Sequence, residues 1–366
     1  MRFLDQKMNR RLMLRAIFGT ALFCLTITMS YGDEVKPWRS ISDSNLAWAP
    51  PERRNLVLKA LSRIPAVWYR DALHPNAVEQ EIEILRQIRG QNKHVLLIIN
   101  PEPEYYDKPS ARYAGPEFKR LCGWSSGNLP LSGLDTGRLK TRLSSALAAL
   151  RHAEIEVDAF EIGNELDWVC FNTDLPFEPD APNLRDSSLL PYAKAYARFL
   201  EAAVETIKTP GLYPRALIVS FGTANTLGLI PSRSFAHPAQ FIRMLKTLDG
   251  RSDLNLVDRV GIHMYPEIDH PETIAPALRR FSSESGAGKP IWITEWGYHN
   301  APFVGRARNA RLSAFNRFYC EVVASKVDVE NMFMFSIASP DESLISTTGS
   351  LLPEASFFTK APGCKR

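Results

Sequence analysis

Short apolar segments alternate with amphipathic segments along most of the chain. Seven apolar segments, rich in β-branched and aromatic residues, have the composition of buried strands: residues 66–71, 94–100, 157–165, 216–225, 257–265, 290–296 and 331–338. Between them, as in AVEQEIEILRQIR and RLKTRLSSALAALR, apolar residues recur every three or four positions, which is the pattern of helices packed by one face. The alternation predicts a parallel sheet covered by helices.

Closing such a sheet into a ring requires an eighth strand, and VKPWRSIS at residues 35–42 is the segment with room for it. Eight strand and helix units over about 330 residues predict an α/β fold, a (β/α)8 TIM barrel with enlarged catalytic-face loops. An open doubly wound sheet is the alternative. It usually carries a glycine-rich phosphate turn after the first strand, and the sequence has none. A G-x-S-x-G elbow is also missing, which argues against a serine hydrolase.

The amino terminus has the three-part pattern of a secretory signal. A basic stretch, MRFLDQKMNRRLMLR, precedes the apolar run AIFGTALFCLTITMS and a polar Asp33-Glu34 pair. We therefore expect residues 1–32 to be a signal peptide, residues 33–366 a single catalytic domain, and the protein secreted or periplasmic. An uncleaved anchor is the alternative, although the run is shorter than the ~20 residues that span a bilayer. No other apolar run reaches that length, so we expect no stable membrane span after signal removal.

The net charge of the chain limits the classes of partner that we expect. Residues 1–32 hold five of the 44 basic and one of the 40 acidic residues, so the remainder is balanced at 39 of each. A neutral chain gives no overall electrostatic attraction to nucleic acid, and we expect no nucleic-acid partner.

Four cysteines follow the predicted signal, an even number suited to an oxidising compartment. Two connections, from residue 101 to about 134 and from 166 to about 190, are far longer than routine loops, and they hold Cys122 and Cys170. Because adjacent strands bring these loops together, we favour a Cys122–Cys170 disulfide, with Cys320 pairing to Cys364. A metal site is the alternative, but the spacings are wide and no H-x-H or H-E-x-x-H pattern occurs. We expect no metal and no cofactor.

Two glutamates end predicted strands four and seven. Glu165 closes FEIGNE and Glu295 lies in PIWITEW. At the ends of nearly opposite strands, the two carboxylates are expected to face each other across the barrel mouth, the arrangement that glycosidic bond cleavage requires. Glu161 lies two residues deeper on the same face and is interpreted as a structural partner.

NE on strand four and TEWG on strand seven resemble the clan A glycoside hydrolases. EIGNELD is similar to the E-I-x-N-E-P-[ND] signature of the xylosidase/iduronidase and heparanase/β-glucuronidase families, with Leu166 in place of the proline. GSLLPEASFF is similar to the segment that closes such barrels, so the resemblance extends over roughly residues 60–358. It implies retaining glycosidase chemistry.

The resemblance makes Glu165 the proton donor and later base, and Glu295 the nucleophile. It also implies substrate-site roles for Asn164, Arg70, His263 and Tyr265. Many clan members carry a sugar-stacking tryptophan at the end of strand eight, whereas MFMFSIASPDES has none. We therefore expect Trp296 or a loop aromatic, with Trp124 and Trp168 as candidates, to form that platform.

These features predict a secreted retaining glycoside hydrolase that cleaves an oligo- or polysaccharide. The alternative is a barrel that has lost turnover and serves as a glycan-binding or matrix-organising protein. Basic residues in the first long loop (Lys108, Arg112, Lys119 and Arg120) hint at an acidic polysaccharide, although a solvated loop has the same pattern.

Overall fold

The computed structural model describes residues 37–43, 45–110, 112–124, 127–178, 186–224, 226–227, 236–248, 252–298, 309–338, 343–360 and 362–364. The predicted signal peptide lies outside the described residues. None of the described helices is both long and apolar enough to cross a lipid bilayer.

The described residues form eight parallel strands in one sheet. These are β1 (Trp38–Ser42), β2 (Trp68–Leu73), β3 (His94–Ile99), β4 (Ala159–Asn164), β5 (Leu217–Gly222), β6 (Val260–Met264), β7 (Ile291–Trp296) and β8 (Val329–Phe335). Their order is β5-β4-β3-β2-β1-β8-β7-β6, so the first and last strands pair. Isolated bridges from Val219 to Arg259 and from Thr223 to Ile262 join the two edges, β5 and β6. The predicted (β/α)8 barrel, including its eighth strand, is confirmed.

Eight α-helices accompany the strands in the described part of the chain. They are α1 (Pro51–Leu61), α2 (Val78–Arg89), α3 (Pro116–Cys122), α4 (Thr136–His152), α5 (Asp186–Ile207), α6 (Pro238–Thr247), α7 (Ile274–Ser285) and α8 (Ala310–Ala324). Short 3-10 helices occupy Leu46–Trp48, Pro75–Ala77, Pro103–Tyr105, Leu131–Gly133, Asp253–Leu256, Pro271–Thr273 and Pro353–Phe358. The first long loop, from residue 101 to about 134, is therefore partly helical, because it contains α3 and two of the 3-10 helices.

Helix α4 illustrates why these segments are helical. Asp135 caps it, because the side chain accepts hydrogen bonds from the free N–H groups of Gly137 (2.8 Å) and Arg138 (3.0 Å). Its buried face carries Leu139, Leu143, Leu147 and Leu150 at helical spacing. This face packs into the large apolar layer between the sheet and the helices.

A second, smaller apolar cluster is formed by Trp68, Leu96, Ala159, Val219, Trp292 and Phe333. Each of these residues lies on a different strand, and its side chain is on the face of the sheet that points away from the helices. Together they fill the barrel interior, as side-chain layers do in this fold. The carboxyl ends of the strands carry polar side chains above this cluster.

Two disulfides stabilise the loops and the tail. Cys122 at the end of α3 is bonded to Cys170 in the β4–α5 connection, with their Cα atoms 5.5 Å apart. Cys320 on α8 is bonded to Cys364, with a Cα separation of 5.2 Å. Both pairings match the prediction.

Candidate active site

Arg70, at the middle of β2, is the centre of the polar network in the barrel mouth. Its guanidinium is fully buried and donates from Nε to Glu161 Oε2 (2.5 Å) and from an Nη1 to Glu295 Oε1 (2.6 Å). It also donates to Ser42 Oγ at 3.0 Å and to Asn164 Oδ1 at 2.8 Å. One cation thus joins side chains from strands β1, β2, β4 and β7.

A bulge in β7 determines where Glu295 points. Ile262 of β6 pairs with Ile293 of β7, and the next residue of β6, His263, pairs with Glu295. Thr294 is therefore an extra residue in β7 at this point. With strict alternation, Trp292 and Thr294 would face the barrel interior and Glu295 would face the helices. The inserted residue shifts the alternation by one position, so that Glu295 faces the interior instead. Glu295 consequently faces the barrel mouth.

The same bulge turns Trp296 out of the mouth, which corrects the expectation that this side chain forms a sugar platform. Trp296 is fully buried in the layer between sheet and helices. Its ring stacks on Phe318 of α8, with centroids 4.6 Å apart, and contacts Phe315 and Phe357 edge-on. It belongs to the core.

Two left-handed residues position Glu165. Gly163 has φ +92° and Glu165 has φ +49°, so the end of β4 departs from simple alternation. At this φ a residue with a side chain would be strained, and its Cβ would lie 2.3 Å from Leu166 Cδ1, so glycine is favoured there. As a result both Asn164 and Glu165 reach the cleft.

His263 lies between the two glutamates. Its Nδ1 is 2.9 Å from Glu165 Oε1 and 3.7 Å from Glu295 Oε2. With carboxylate oxygens on both sides, the arrangement stabilises the form with a proton on Nδ1. Tyr265 donates its hydroxyl to Glu295 Oε2 at 2.6 Å. Both oxygens of Glu295 therefore accept hydrogen bonds.

The structure brings the two predicted catalytic glutamates together. One carboxylate oxygen of Glu165, one of Glu295 and a ring nitrogen of His263 lie within 4.8 Å of one another. This is close to the ~5 Å separation of the two carboxyl groups in retaining glycosidases, and short of the separation that admits a water molecule for inversion.

The surroundings move the two carboxyl pKa values in opposite directions. Burial raises the pKa of Glu165 above its usual value, and the hydrogen bond from His263 only partly opposes this. Burial would also raise the pKa of Glu295, but His263, Arg70 and the Tyr265 hydroxyl outweigh it and lower the pKa. Of the two, Glu295 thus ionises at the lower pH and Glu165 keeps its proton to the higher pH.

Glu165, His263 and Glu295 have the spacing of metal ligands. However, Glu295 already accepts hydrogen bonds from Arg70 and Tyr265, and a divalent cation there would meet the repulsion of the buried guanidinium. The residues present fit proton transfer and nucleophilic attack better than metal coordination.

A cleft of about 810 Å³ opens above the carboxylates. Trp124 and Phe171 line it from the two long loops, and Phe335 lines it from the end of β8. Trp168 is partly buried behind this surface, edge-on to Trp124 with ring centroids 6.3 Å apart. Phe335 thus occupies the end of β8, where many glycosidases of this clan have a tryptophan.

Two residues that shape the site were given no role from the sequence. Gly222 at the end of β5 leaves room for His263, because a Cβ there would lie 2.1 Å from its Nε2. Asp167 accepts a hydrogen bond from the Ala224 N–H at 2.9 Å and joins the β4 and β5 loops. Burial raises the pKa of Asp167 to about 7. Gly222 belongs to no recognised motif. Asp167 is the last residue of EIGNELD, but the motif does not indicate that it reaches the β5 loop, and only the fold reveals this contact.

Residues 240–358 match the family model described as glycosyl hydrolase catalytic core. This segment extends from α6 to the end of the last 3-10 helix and includes His263, Tyr265 and Glu295. No curated protein matches the chain in sequence.

Solved structures share the fold at low sequence identity. A fungal β-1,4-galactanase is 15% identical, with a TM-score of 0.57, over 88% of this chain and 98% of its own. A GH5_18 protein from Streptomyces cattleya, in complex with GlcNAc, is 11% identical (TM-score 0.57; 90% and 82% covered). A GH30 endoxylanase from Clostridium papyrosolvens C71 is 12% identical (TM-score 0.55; 88% and 70% covered).

The solved structures show the shared barrel fold. The family match over residues 240–358 confirms the glycoside hydrolase resemblance predicted from the strand motifs, and with it the enzyme class, an O-glycosyl hydrolase. The narrower likeness to the xylosidase/iduronidase and heparanase/β-glucuronidase families stays a prediction.

Proposed function

We propose that the protein is a retaining glycosidase acting on an oligo- or polysaccharide, with Glu165 as acid/base and Glu295 as nucleophile. The observation that carries this proposal is the facing pair of carboxylates, within 4.8 Å of each other and of His263, whose pKa values shift in opposite directions.

In the first step, Glu165 gives its proton to the glycosidic oxygen while Glu295 attacks the anomeric carbon. The carbon–oxygen bond breaks, the alcohol leaves, and a glycosyl ester forms on Glu295. In the second step, Glu165 takes a proton from water, whose oxygen attacks the anomeric carbon and releases Glu295 as carboxylate. The two inversions retain the configuration.

The neighbouring side chains support this division of roles. Arg70 and Tyr265 donate to both oxygens of Glu295 and keep it ionised before attack. Arg70 also fixes Asn164 Oδ1, which directs the amide nitrogen away from the guanidinium, and we assign that nitrogen to a sugar hydroxyl. His263 orients Glu165 through Nδ1.

We also propose that the protein is exported and that Trp124 and Phe335 contact the bound sugar, with Trp168 supporting Trp124. The signal-like residues 1–32 and the two disulfides support export, because disulfides persist in oxidising compartments. The position of Trp124 and Phe335 on the cleft wall supports sugar contact, since aromatic faces pack well on sugar C–H surfaces.

A polysaccharide and aryl-glycoside panel tests the activity, with product sizes read by mass spectrometry. Glu295→Gln should abolish hydrolysis and retain binding, while Glu272→Gln, on an exposed glutamate, serves as the matched control. A 2-fluoro sugar of the substrate should leave an ester on the peptide that contains Glu295.

Unimpaired cleavage by Glu295→Gln, or labelling of a different residue, would contradict the assignment. Glycan binding without hydrolysis across the panel would instead favour the glycan-binding alternative.

A further inference from the structure

The cleft continues beyond the two catalytic glutamates to the loops that follow β1, β2 and β3. Six residues of these loops line its far end: Asn45, Trp48, His74, Asn76, Glu102 and Glu104. The sequence motifs do not include any of them, and the proposed catalytic steps do not use them.

Trp48 presents a flat apolar surface in this part of the cleft. One face of its indole stacks on His74, with ring centroids 3.5 Å apart and planes 20° from parallel. Even so, 53% of the residue is exposed, the largest exposure among the large apolar residues in the described part of the chain. The indole is therefore packed on one side and open on the other.

His74 is fixed beneath Trp48. Its Nδ1 lies 3.1 Å from Glu102 Oε1 and its Nε2 lies 2.9 Å from Asn45 Oδ1, and the imidazole is buried. Because both ring nitrogens are held, the imidazole cannot rotate away, and it keeps the indole in place. A surface tryptophan supported in this way is preorganised to bind a ligand.

Hydrogen-bond acceptors lie in the same part of the cleft. Asn76 Nδ2 donates to Glu104 Oε1 at 3.0 Å, whereas Glu104 Oε2 is shielded from solvent and has no hydrogen-bond partner. The Glu104 carboxylate therefore keeps acceptor capacity for a ligand, on the second lone pair of Oε1 or on Oε2 after a small rotation of the side chain. The hydroxyl groups of a sugar are suitable donors.

The charges in the cleft are of one sign. Glu102, Glu104 and Glu295 line it beside the proton donor Glu165, whereas no lysine or arginine is found among its described lining residues. Arg70 lies beneath them, with its guanidinium bonded to four side chains.

The basic residues of the first long loop do not add positive charge to the lining of the cleft. Neither Lys108, Arg112, Lys119 nor Arg120 lines the cleft. Arg112 lies over the Tyr113 ring at 5.6 Å and reaches the Asp174 carbonyl at 3.4 Å. A sugar carboxylate or sulfate entering the cleft would therefore meet carboxylates in a partly desolvated space, which is repulsive.

We propose that Trp48, supported by His74, forms a second sugar-binding site in the cleft, which takes an uncharged pyranose unit of the glycan chain. The pyranose packs its C–H face on the open side of the indole and donates a hydroxyl to Glu104. The proposal rests on the proposed glycosidase function only in that the cleft binds a glycan; it extends that function to a chain of several uncharged units.

Binding to the Glu295→Gln variant tests the site without turnover. The probes are β-1,4-galacto-, β-1,4-xylo- and β-1,4-mannohexaose, with β-1,4-mannuronate hexasaccharide as the charged counterpart of the last. Trp48→Ala and Trp48→Phe are introduced in this background, with Leu190→Ala, an exposed apolar side chain on α5, as the matched control. Calorimetry gives Kd, and circular dichroism checks the fold of each variant.

We expect at least one neutral hexasaccharide to bind, and Trp48→Ala to weaken it about tenfold, consistent with loss of one stacking contact. Trp48→Phe should retain most of the affinity and Leu190→Ala all of it. Mannuronate hexasaccharide should bind at least about tenfold more weakly than mannohexaose, or not at all. Glu104→Gln removes one negative charge and should bring the two Kd values closer together.

Equal Kd values for Trp48→Ala and its parent, tighter binding of the mannuronate, or no binding of any neutral hexasaccharide would each overturn the proposal. These results are separable from failure of the proposed function. Hydrolysis by the wild type with no effect of Trp48→Ala would reject the second site alone, whereas Trp48-dependent binding without wild-type hydrolysis would reject the glycosidase alone.

Discussion

The Tyr265 hydroxyl donates to Glu295 Oε2 at 2.6 Å, while Arg70 donates to Oε1, the other oxygen of the same carboxylate. An O–H that donates to a carboxylate favours its ionised form, and this contact contributes to the lowered pKa of Glu295. The rate should therefore depend on pH in a way that can be traced to single side chains.

We predict a bell-shaped pH profile of kcat/KM. The acid limb reports Glu295, whose pKa is lowered, and the alkaline limb reports Glu165, whose pKa is raised. Tyr265→Phe should raise the pKa of Glu295 and move the acid limb upward by on the order of one pH unit, leaving the alkaline limb in place. Tyr213→Phe, whose hydroxyl bonds the Ile155 carbonyl at 2.8 Å, is the control. An unmoved acid limb would contradict this assignment.

Replacing Glu165 should affect substrates according to their leaving groups. Glu165→Ala removes the proton donor, and we expect kcat for a natural glycan to fall by about 10²–10⁴-fold. For a dinitrophenyl glycoside the first step needs no protonation, so the loss there should be much smaller. Steady-state kinetics on both substrates measures the difference, and equal losses would show that Glu165 is not the acid.

Removing Arg70 should destabilise the barrel as well as stop the reaction. Arg70→Met leaves Glu161 and Glu295 without their shared cation, and breaking such a buried pair costs about 3–5 kcal/mol of unfolding free energy. Adding Glu161→Gln should recover part of the stability but not the activity, because Glu295 still lacks its cation. Denaturant unfolding and kcat separate the two effects; recovery of activity would contradict the role given to Arg70.

Gly222→Ala should disable the site by displacing His263. The new Cβ would lie 2.1 Å from His263 Nε2 and 2.5 Å from Thr294 Oγ1, both too close for real contacts. Overpacking of this kind costs about 1–3 kcal/mol, and a shift of the site by about 1 Å lowers kcat by about 10²-fold. Gly363→Ala, where the space is open, is the control. Wild-type activity in Gly222→Ala would show that the imidazole position is not critical.

The two disulfides should differ in their effect on substrate binding. They close segments of 48 and 44 residues, and losing either is expected to cost about 4 kcal/mol of stability in the chain-entropy account. Cys122 and Cys170 also hold the loops of Trp124 and Phe171 at the cleft, so Cys122→Ser/Cys170→Ser should raise KM. Cys320→Ser/Cys364→Ser should lower Tm and leave KM unchanged. An equal rise in KM for both would remove the link between the loop disulfide and the cleft.

The strands and most helices could be predicted from the sequence, because apolar runs and three- to four-residue spacing record which faces are buried. Helix α3 was not predicted. It has only seven residues, and Phe118 and Cys122 are its buried positions, too few to establish a period.

Site geometry was less accessible to prediction. The motifs predicted Glu165, Glu295 and the residues around them, because strand ends meet at one edge of a parallel barrel. The bulge in β7 could not be read from IWITEW, whose alternation places Trp292, Thr294 and Trp296 on one face. Trp296 was considered for the sugar platform because strand eight carries no tryptophan, and the bulge instead turns its side chain into the core.

The second sugar-binding site around Trp48 was not predicted from the sequence, for a different reason. Trp48, His74 and Glu102 follow three different strands, and nothing in their local sequence distinguishes them from ordinary loop residues. Their contact exists only because β1, β2 and β3 are neighbours in the ring.

The edges of the sheet meet between β5 and β6, where isolated bridges replace a continuous ladder. The His263 N–H donates to the Thr223 carbonyl across this junction at 2.9 Å, and the Glu165 N–H donates to the Gly222 carbonyl beside it, also at 2.9 Å. The backbone of the acid/base glutamate and that of the histidine that orients it are therefore both held at the end of β5, one from β4 and one across the junction with β6. Any opening of the ring at this junction should therefore stop turnover, so that loss of activity on warming reports local separation of β5 from β6 as well as global unfolding.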